Sequence, residues 1–225
     1  IKGDYEKALD YYERSLAIKE EIGDKSEMGI SLNNIGIVYK VKGDYDKALD
    51  YYGRSLAISE ELDNKRSVAA SLNNIGMIYS NKGDYDKAMD YYGRSLAINE
   101  ELVDESNIGG SLNNIGREYE NKGDLDTALD YYERSLTILE ELGNKHGMGS
   151  SLNNIGNIYY HKGDYDKVLD YHTRSLKIKE ELGDKRGIGI FLNNIGLIYR
   201  QKGYYDNALD YYIRALEIQE ELGCK

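Results

Sequence analysis

Three histidines, His146, His161 and His172, are the side chains of this sequence with the widest chemical repertoire, and their spacing offers neither a metal site nor an acid–base pair. A zinc site needs ligands that one element can converge, such as two histidines a helical turn apart or a cysteine pair. The single cysteine, Cys224, excludes a cysteine-based zinc site and any disulfide framework within the chain. Asp44, Asp46 and Asp50 cluster near a glycine, but their spacing departs from a calcium loop, and they sit at a helix start where carboxylates act as caps. No Ser-His-Asp order, glycine-rich phosphate loop or pair of isolated buried carboxylates interrupts the pattern, and catalytic groups would have to be such interruptions. The expectation is a chain that is not an enzyme and takes no cofactor or metal. The 23 tyrosines raise one other chemistry, a stacking platform for bases or sugars. Most of them fall on stripes that helices bury, and His172 occupies one of those slots; Tyr160 alone stands off the stripe as a ligand-facing aromatic.

The elements that would position these residues are set by a forty-residue repeat, which aligns the sequence with itself without a gap. The string Leu-Asn-Asn-Ile-Gly recurs unchanged at 32–36, 72–76, 112–116, 152–156 and 192–196. A second block, typified by 42–52, recurs in variant form six times, beginning at Lys2. The chain is expected to form a single domain over 1–225: a lone second helix with its linker at 1–28, then repeats at 29–68, 69–108, 109–148, 149–188 and 189–225. It begins at Ile1 in mid-repeat and reads as an excised fragment. Usage of about 5% proline would place roughly eleven in such a chain, and there are none, beside 24 glycines. Uninterrupted helices separated by glycine turns follow.

In the second repeat Leu72, Ile75, Gly76 and Tyr79 lie at i, i+3, i+4 and i+7 and form the buried stripe of a first helix, A. After Gly83, Asp84 can cap a second helix, B, whose stripe is Tyr85, Ala88, Met89, Tyr92, Ser95 and Leu96. Gly183 suits the left-handed residue that closes a B helix, and Asp184 caps the next A. Val103 stands where such a glycine is usual, so 103–107 is expected to take a different turn or to be more mobile. Asp10/Arg14, Asp90/Arg94 and Asp210/Arg214 are surface pairs four residues apart. Eleven helices and no strand are expected.

The order Leu72, Ile75, Gly76, Tyr79, Gly83, Tyr85, Ala88, Tyr92 resembles the tetratricopeptide repeat, over essentially the whole chain. The usual repeat has 34 residues, and this one looks like the forty-residue variant of Pins-type adaptors and bacterial tetratricopeptide signalling proteins. Ser55, Ser95, Ser135 and Ser175 replace the family's small alanine, which returns at Ala215, and its closing proline is missing. The resemblance implies an all-α fold, a right-handed α-solenoid of antiparallel helix pairs. It also implies a concave groove, lined by the A helices, that holds peptides.

A helical wheel places Ala70, Asn74, Met77 and Asn81 opposite the buried stripe of the second repeat. The same face reads Ile30, Asn34, Ile37, Val41 in the first repeat and Gly110, Asn114, Arg117, Asn121 in the third. It continues with Ser150, Asn154, Asn157, His161 and then Ile190, Asn194, Leu197, Gln201. One column is always asparagine, able to donate and accept as a peptide group requires, while its neighbours vary. The asparagines read equally as links between A helices. Arg117, Tyr160, His161 and Arg200 complete the candidate site. The five helix A windows 29–42, 69–82, 109–122, 149–162 and 189–202 together hold eight basic and two acidic residues, a net +6 against -11 for the chain. That contrast favours an acidic partner segment, although the row Lys42, Lys82, Lys122, Lys162, Lys202 also reads as helix-end lysines meeting the dipole. The overall acidity argues against nucleic acid, and no run of about 18 apolar residues is present to span a membrane. A soluble, cytoplasmic, non-catalytic scaffold that binds an extended or partly helical protein segment is expected. The rival readings are head-to-tail self-association through 5–18 and 205–218, and a regulatory arm of a larger signalling protein.

Overall fold

A computed structural model describes residues 2–223, and Cys224 lies outside them. Among the described residues the chain is eleven α-helices and no strand. They are α1 (Lys2–Ile22), α2 (Lys25–Lys42), α3 (Tyr45–Glu61), α4 (Lys65–Asn81), α5 (Tyr85–Glu101), α6 (Glu105–Asn121), α7 (Leu125–Glu141), α8 (Lys145–His161), α9 (Tyr165–Glu181), α10 (Lys185–Gln201) and α11 (Tyr205–Glu221). Two compact units emerge, Ile1–Asn107 and Ile108–Lys225, with the boundary in the first turn of α6. Even-numbered helices are the A helices of the repeat, odd-numbered ones the B helices.

Most helices start where a short polar side chain can accept an orphan backbone N–H. Asp44, Asp84, Asp124 and Asp164 cap α3, α5, α7 and α9 by accepting from the N–H three residues on, at 3.1 to 3.3 Å. Asp24, Asn64, Asn144 and Asp184 do the same for α2, α4, α8 and α10, at 2.9 to 3.1 Å. These caps start the A helices four residues ahead of the windows read from the sequence, because the first turn carries mostly polar side chains and leaves no apolar period. At α11 the cap position is Tyr204, which makes no capping side-chain bond.

Helices close on a left-handed residue, Gly83 with φ +78° being typical. The junction at Val103 corrects an expectation. Val103 takes φ +53°, as Asp63 takes +51°. Its N–H donates to Glu100 O and that of Asp104 to Asn99 O, the bonds that Gly143 and Asn144 make to Glu140 and Leu139. The turn is thus the same one, and a β-branched residue is held in it by those two bonds.

Within each pair the closest approach is a glycine against a ring. A Cβ on Gly76 would lie 2.7 Å from Tyr92 Cε1, and one on Gly36 2.6 Å from Tyr52 Cε1, so only glycine lets these helices cross. Tyr52, Tyr92 and Tyr132 are fully buried there. A second tyrosine pair stacks beside them, Tyr79 on Tyr91 at 5.4 Å and Tyr159 on Tyr171 at 5.6 Å. The guanidinium of the B helix lies over the outer ring, Arg94 on Tyr91 at 5.3 Å. The serine column has its own chemistry: Ser95 Oγ donates to Ala69 O at 2.8 Å and Ser135 Oγ to Gly109 O at 2.7 Å. Those bonds tie the late B helix to the early A helix, which alanine could not do.

Candidate interaction face

The buried stripe of each A helix leaves the opposite face outward, and accessibility follows the wheel. Ile30, Ala70, Gly110, Ser150 and Ile190 are exposed, as are Val41, Asn81, Asn121, His161 and Gln201. Between them the asparagine column, Asn34, Asn74, Asn114, Asn154 and Asn194, is half-buried. Of the variable column, Ile37 and Arg117 are exposed, while Met77, Asn157 and Leu197 are partly covered. Tyr160 and Arg200 are exposed at the ends of α8 and α10.

Hydrogen bonds divide the asparagine ladder. In the first unit Asn74 Nδ2 donates to Asn33 Oδ1 at 2.7 Å, joining α4 to α2. In the second, Asn154 Nδ2 reaches Asn113 Oδ1 at 3.5 Å, and Asn113 Nδ2 donates to Ser135 and Ser151 Oγ at 2.8 Å each. One amide N–H each of Asn74 and Asn154 therefore links neighbouring A helices, and an amide of this kind has a second N–H and a carbonyl oxygen besides. Asn114 is also engaged within the chain.

The charge of this face is lower than the sequence sum implies. Lys82 Nζ lies 2.8 Å from Asp46, and Lys162 and Lys202 pair likewise with Asp126 and Asp166. The hydrogen bond to Asp166 is the main cause that raises the Lys202 pKa above the usual lysine value. At the opposite ends of the A helices Lys145 pairs with Glu181 at 2.9 Å and Lys185 with Glu221 at 2.7 Å. These five lysines are joints between helices.

Helix α6 holds a group that sequence reasoning missed. Glu118 is fully buried in the column of Val38, Ile78, Ile158 and Ile198. Its Oε2 accepts from Asn121 Nδ2 at 3.2 Å, whereas Oε1 makes no hydrogen bond, although Arg117 Nε approaches to 3.5 Å. Beside it Tyr132 Oη donates to Glu120 at 2.8 Å, and His161 Nε2 stands 3.9 Å from the same carboxylate. Burial first, then that hydrogen bond, pushes the Tyr132 phenol well above its ordinary pKa. The forty-residue column contained the signal, one acid among four aliphatic residues. This single buried carboxylate is a break in the repeat that the sequence reading did not single out. Arg117 of the candidate face thus has an acid of its own chain beside it. No group of three or more His, Cys, Asp or Glu among the described residues could hold a metal ion.

A family model described as tetratricopeptide repeat matches residues 1–61, 27–101 and 107–181, and a second of the same description matches 191–222. The chain belongs to the tetratricopeptide repeat family. Comparison with curated proteins finds no match. Among solved structures, this tetratricopeptide array is similar to BtubC from P. vanneervenii, at 22% identity and TM-score 0.86, covering 98% of this chain and 93% of that one. A Rap protein complexed with Competence and Sporulation Factor is similar at 18% identity and TM-score 0.75, covering 99% of this chain and 72% of that one. The Rap conjugation gene regulator of plasmid pLS20, in complex with the Phr* peptide, is similar at 16% and 0.72, covering 91% and 57%. At these identities the likeness is one of fold. No helix among the described residues is long and apolar enough to cross a membrane.

Proposed function

We propose that this tetratricopeptide array is a non-catalytic interaction module that holds an extended or partly helical protein segment against the outward face of its A helices. The observation that carries the reading is the division of labour within helix A. One side is packed by invariant Leu, Ile and Gly, while the other presents a column of different, accessible side chains, Ile37, Met77, Arg117, Asn157 and Leu197, beside half-buried asparagines. In the first unit that face comprises Asn34, Ile37, Asn74 and Met77. In the second it comprises Asn114, Arg117, Asn121, Asn154, Asn157, Tyr160, His161, Asn194, Leu197 and Arg200. The two Rap complexes lend support by fold alone. Because Lys82, Lys162 and Lys202 are ion-paired, the segment is proposed to be largely uncharged, held by apolar anchors and by asparagine amides that meet its backbone groups.

The test is selection of twelve-residue peptides by display on the intact chain, followed by affinity measurement. Met77→Glu and Leu197→Glu should each weaken peptides selected on their own unit at least tenfold, about 1.4 kcal/mol. Arg94→Glu, on the outer side of a B helix, should leave them unchanged. Loss confined to the Arg94 variant would overturn the assignment of the face.

A second reading, self-association, has one observation in its favour. On α11 Leu209 and Leu216 are exposed, whereas their counterparts on α9, Leu169 and Leu176, pack against Leu192 and Ile195 of α10. Sedimentation of the wild type against Leu209→Glu decides it; a monomer in both at high concentration removes this reading.

A further inference from the structure

Successive A helices meet at the end of the intervening B helix, and the residue there differs from one repeat to the next. On α3 of the first unit the residue is Ser59, and the junction of α2 with α4 contains a cavity of about 150 Å³. Gly29, Ile30, Asn33, Ile58 and Ala70 contribute to its lining along with Ser59. A Cβ built on Gly29 would meet only Ile58, at 3.5 Å.

Eighty residues on, in the second unit, the same column is Leu139, 2% exposed. A Cβ on Gly109, the counterpart of Gly29, would lie 2.9 Å from Leu139 Cγ, and one on Gly147, the counterpart of Ser67, 2.7 Å from its Cδ2. The chain therefore displays the same junction twice, once filled by a leucine of its own B helix and once open. At a third copy Lys179 stands in the column and turns to Asp184, Nζ to carboxylate 3.0 Å.

The open copy is also lined by Ser26, Asn64, Ser67 and Ser71 beside the apolar Ile30, Ile58, Leu62 and Ala70, and its buried Ser55 and Ser59 are already bonded. Ser59 Oγ donates to Ser55 O and Ser55 Oγ to Gly29 O, both at 2.9 Å, so these hydroxyl protons are already satisfied by backbone and an aliphatic guest would strand neither. The size agrees, since a cavity near 150 Å³ admits a guest about as large as benzene. Ile30 and Ala70, both exposed, stand at its rim on the outward face of α2 and α4.

We propose that the cavity at Ser59 is a socket for one leucine-sized, branched aliphatic side chain of a bound protein segment, and that the residue in this column sets which junctions offer such a socket. The proposal rests on the reading that the A-helix face holds a protein segment, and it adds which side chain that segment inserts and where.

The probe is N-acetyl-Ala-Leu-Ala-amide titrated into the intact chain, followed by NMR at Ile30, Ile58 and Ala70, with the Ala-Ala-Ala analogue as control. Saturable shifts at those residues, at least tenfold tighter for the leucine probe, are expected. Ser59→Leu should abolish them without lowering Tm, and Ala70→Leu, on the exposed rim, should do so by blocking the mouth where the first variant fails to fold. Leu139→Ser should create new leucine-dependent shifts at Gly109 and Gly147. Equal binding of the two probes, or leucine shifts that persist in the Ser59→Leu and Ala70→Leu variants, would overturn the socket. Display-selected peptides that still need Met77 but ignore Ser59→Leu would overturn the socket and leave the interaction face standing. A leucine probe bound at Ser59 with no selected peptide on the A helices would keep the socket and remove the face.

Discussion

His172 carries a tyrosine's place without a tyrosine's hydroxyl. Burial pushes its pKa down to about 4, and Nδ1 has no hydrogen-bond partner, so the folded chain keeps the imidazole neutral. The unfolded chain takes up a proton below about 6.5, binds more protons than the folded one between those values, and gains relative stability as pH falls. The stabilising difference is fully present above about pH 6.5 and is lost progressively toward pH 4. At 1.36 kcal/mol per unit the loss reaches about 2 kcal/mol by pH 5. Urea unfolding of His172→Tyr and wild type at pH 7.5 and 5.0 should show that difference, the variant losing less. Glu118 invites the opposite kind of change. Glu118→Ile restores the side chain of its column and removes a buried acceptor with no hydrogen bond. Its urea midpoint should rise by the equivalent of about 1 to 3 kcal/mol, and a fall would mean that the contact with Arg117 and Asn121 outweighs the missing bond.

At the scale of the element, the forty-residue period made helix number, pairing and the buried faces legible, because Leu72, Ile75, Gly76 and Tyr79 can share a stripe only on a helix. The helix starts were less legible, since the cap at Asn64 precedes a turn of Lys65, Arg66 and Ser67 that has no apolar signal. The turn at Val103 was misread for a physical reason: intrinsic preference against positive φ was weighed without the two backbone bonds that enforce it. A left-handed conformation still costs a β-branched residue about 1 to 2 kcal/mol. Val103→Gly, at an exposed site, should therefore stabilise the chain by roughly that amount in urea unfolding, with unchanged helicity. As for the candidate face, its direction could be read from a wheel, but not the partners of its polar groups. Which carboxylate a lysine meets thirty-six residues away, or that Asn74 turns to Asn33, depends on how helices stack.

For the molecule as a whole, repeats that touch only their neighbours imply stability that is local. Gly76→Ala, which would drive a methyl group into Tyr92, should cost about 1 to 3 kcal/mol. Its effect on hydrogen exchange should concentrate in α4 and α5 and spare α9 to α11. Uniform acceleration along the chain would instead indicate a single cooperative body. The lysine joints have a further consequence, for how such a gene can grow. Lys65, opening α4, meets Glu101 of α5, while Lys82, closing it, meets Asp46 of α3, and the same two offsets recur in the second unit. A forty-residue cassette with both lysines, as those of α4, α8 and α10 have, thus brings the donor for its predecessor and the partner for its own second helix. Duplication or loss of a whole cassette by recombination would leave each new seam already matched in charge, so array length can drift without compensating mutation.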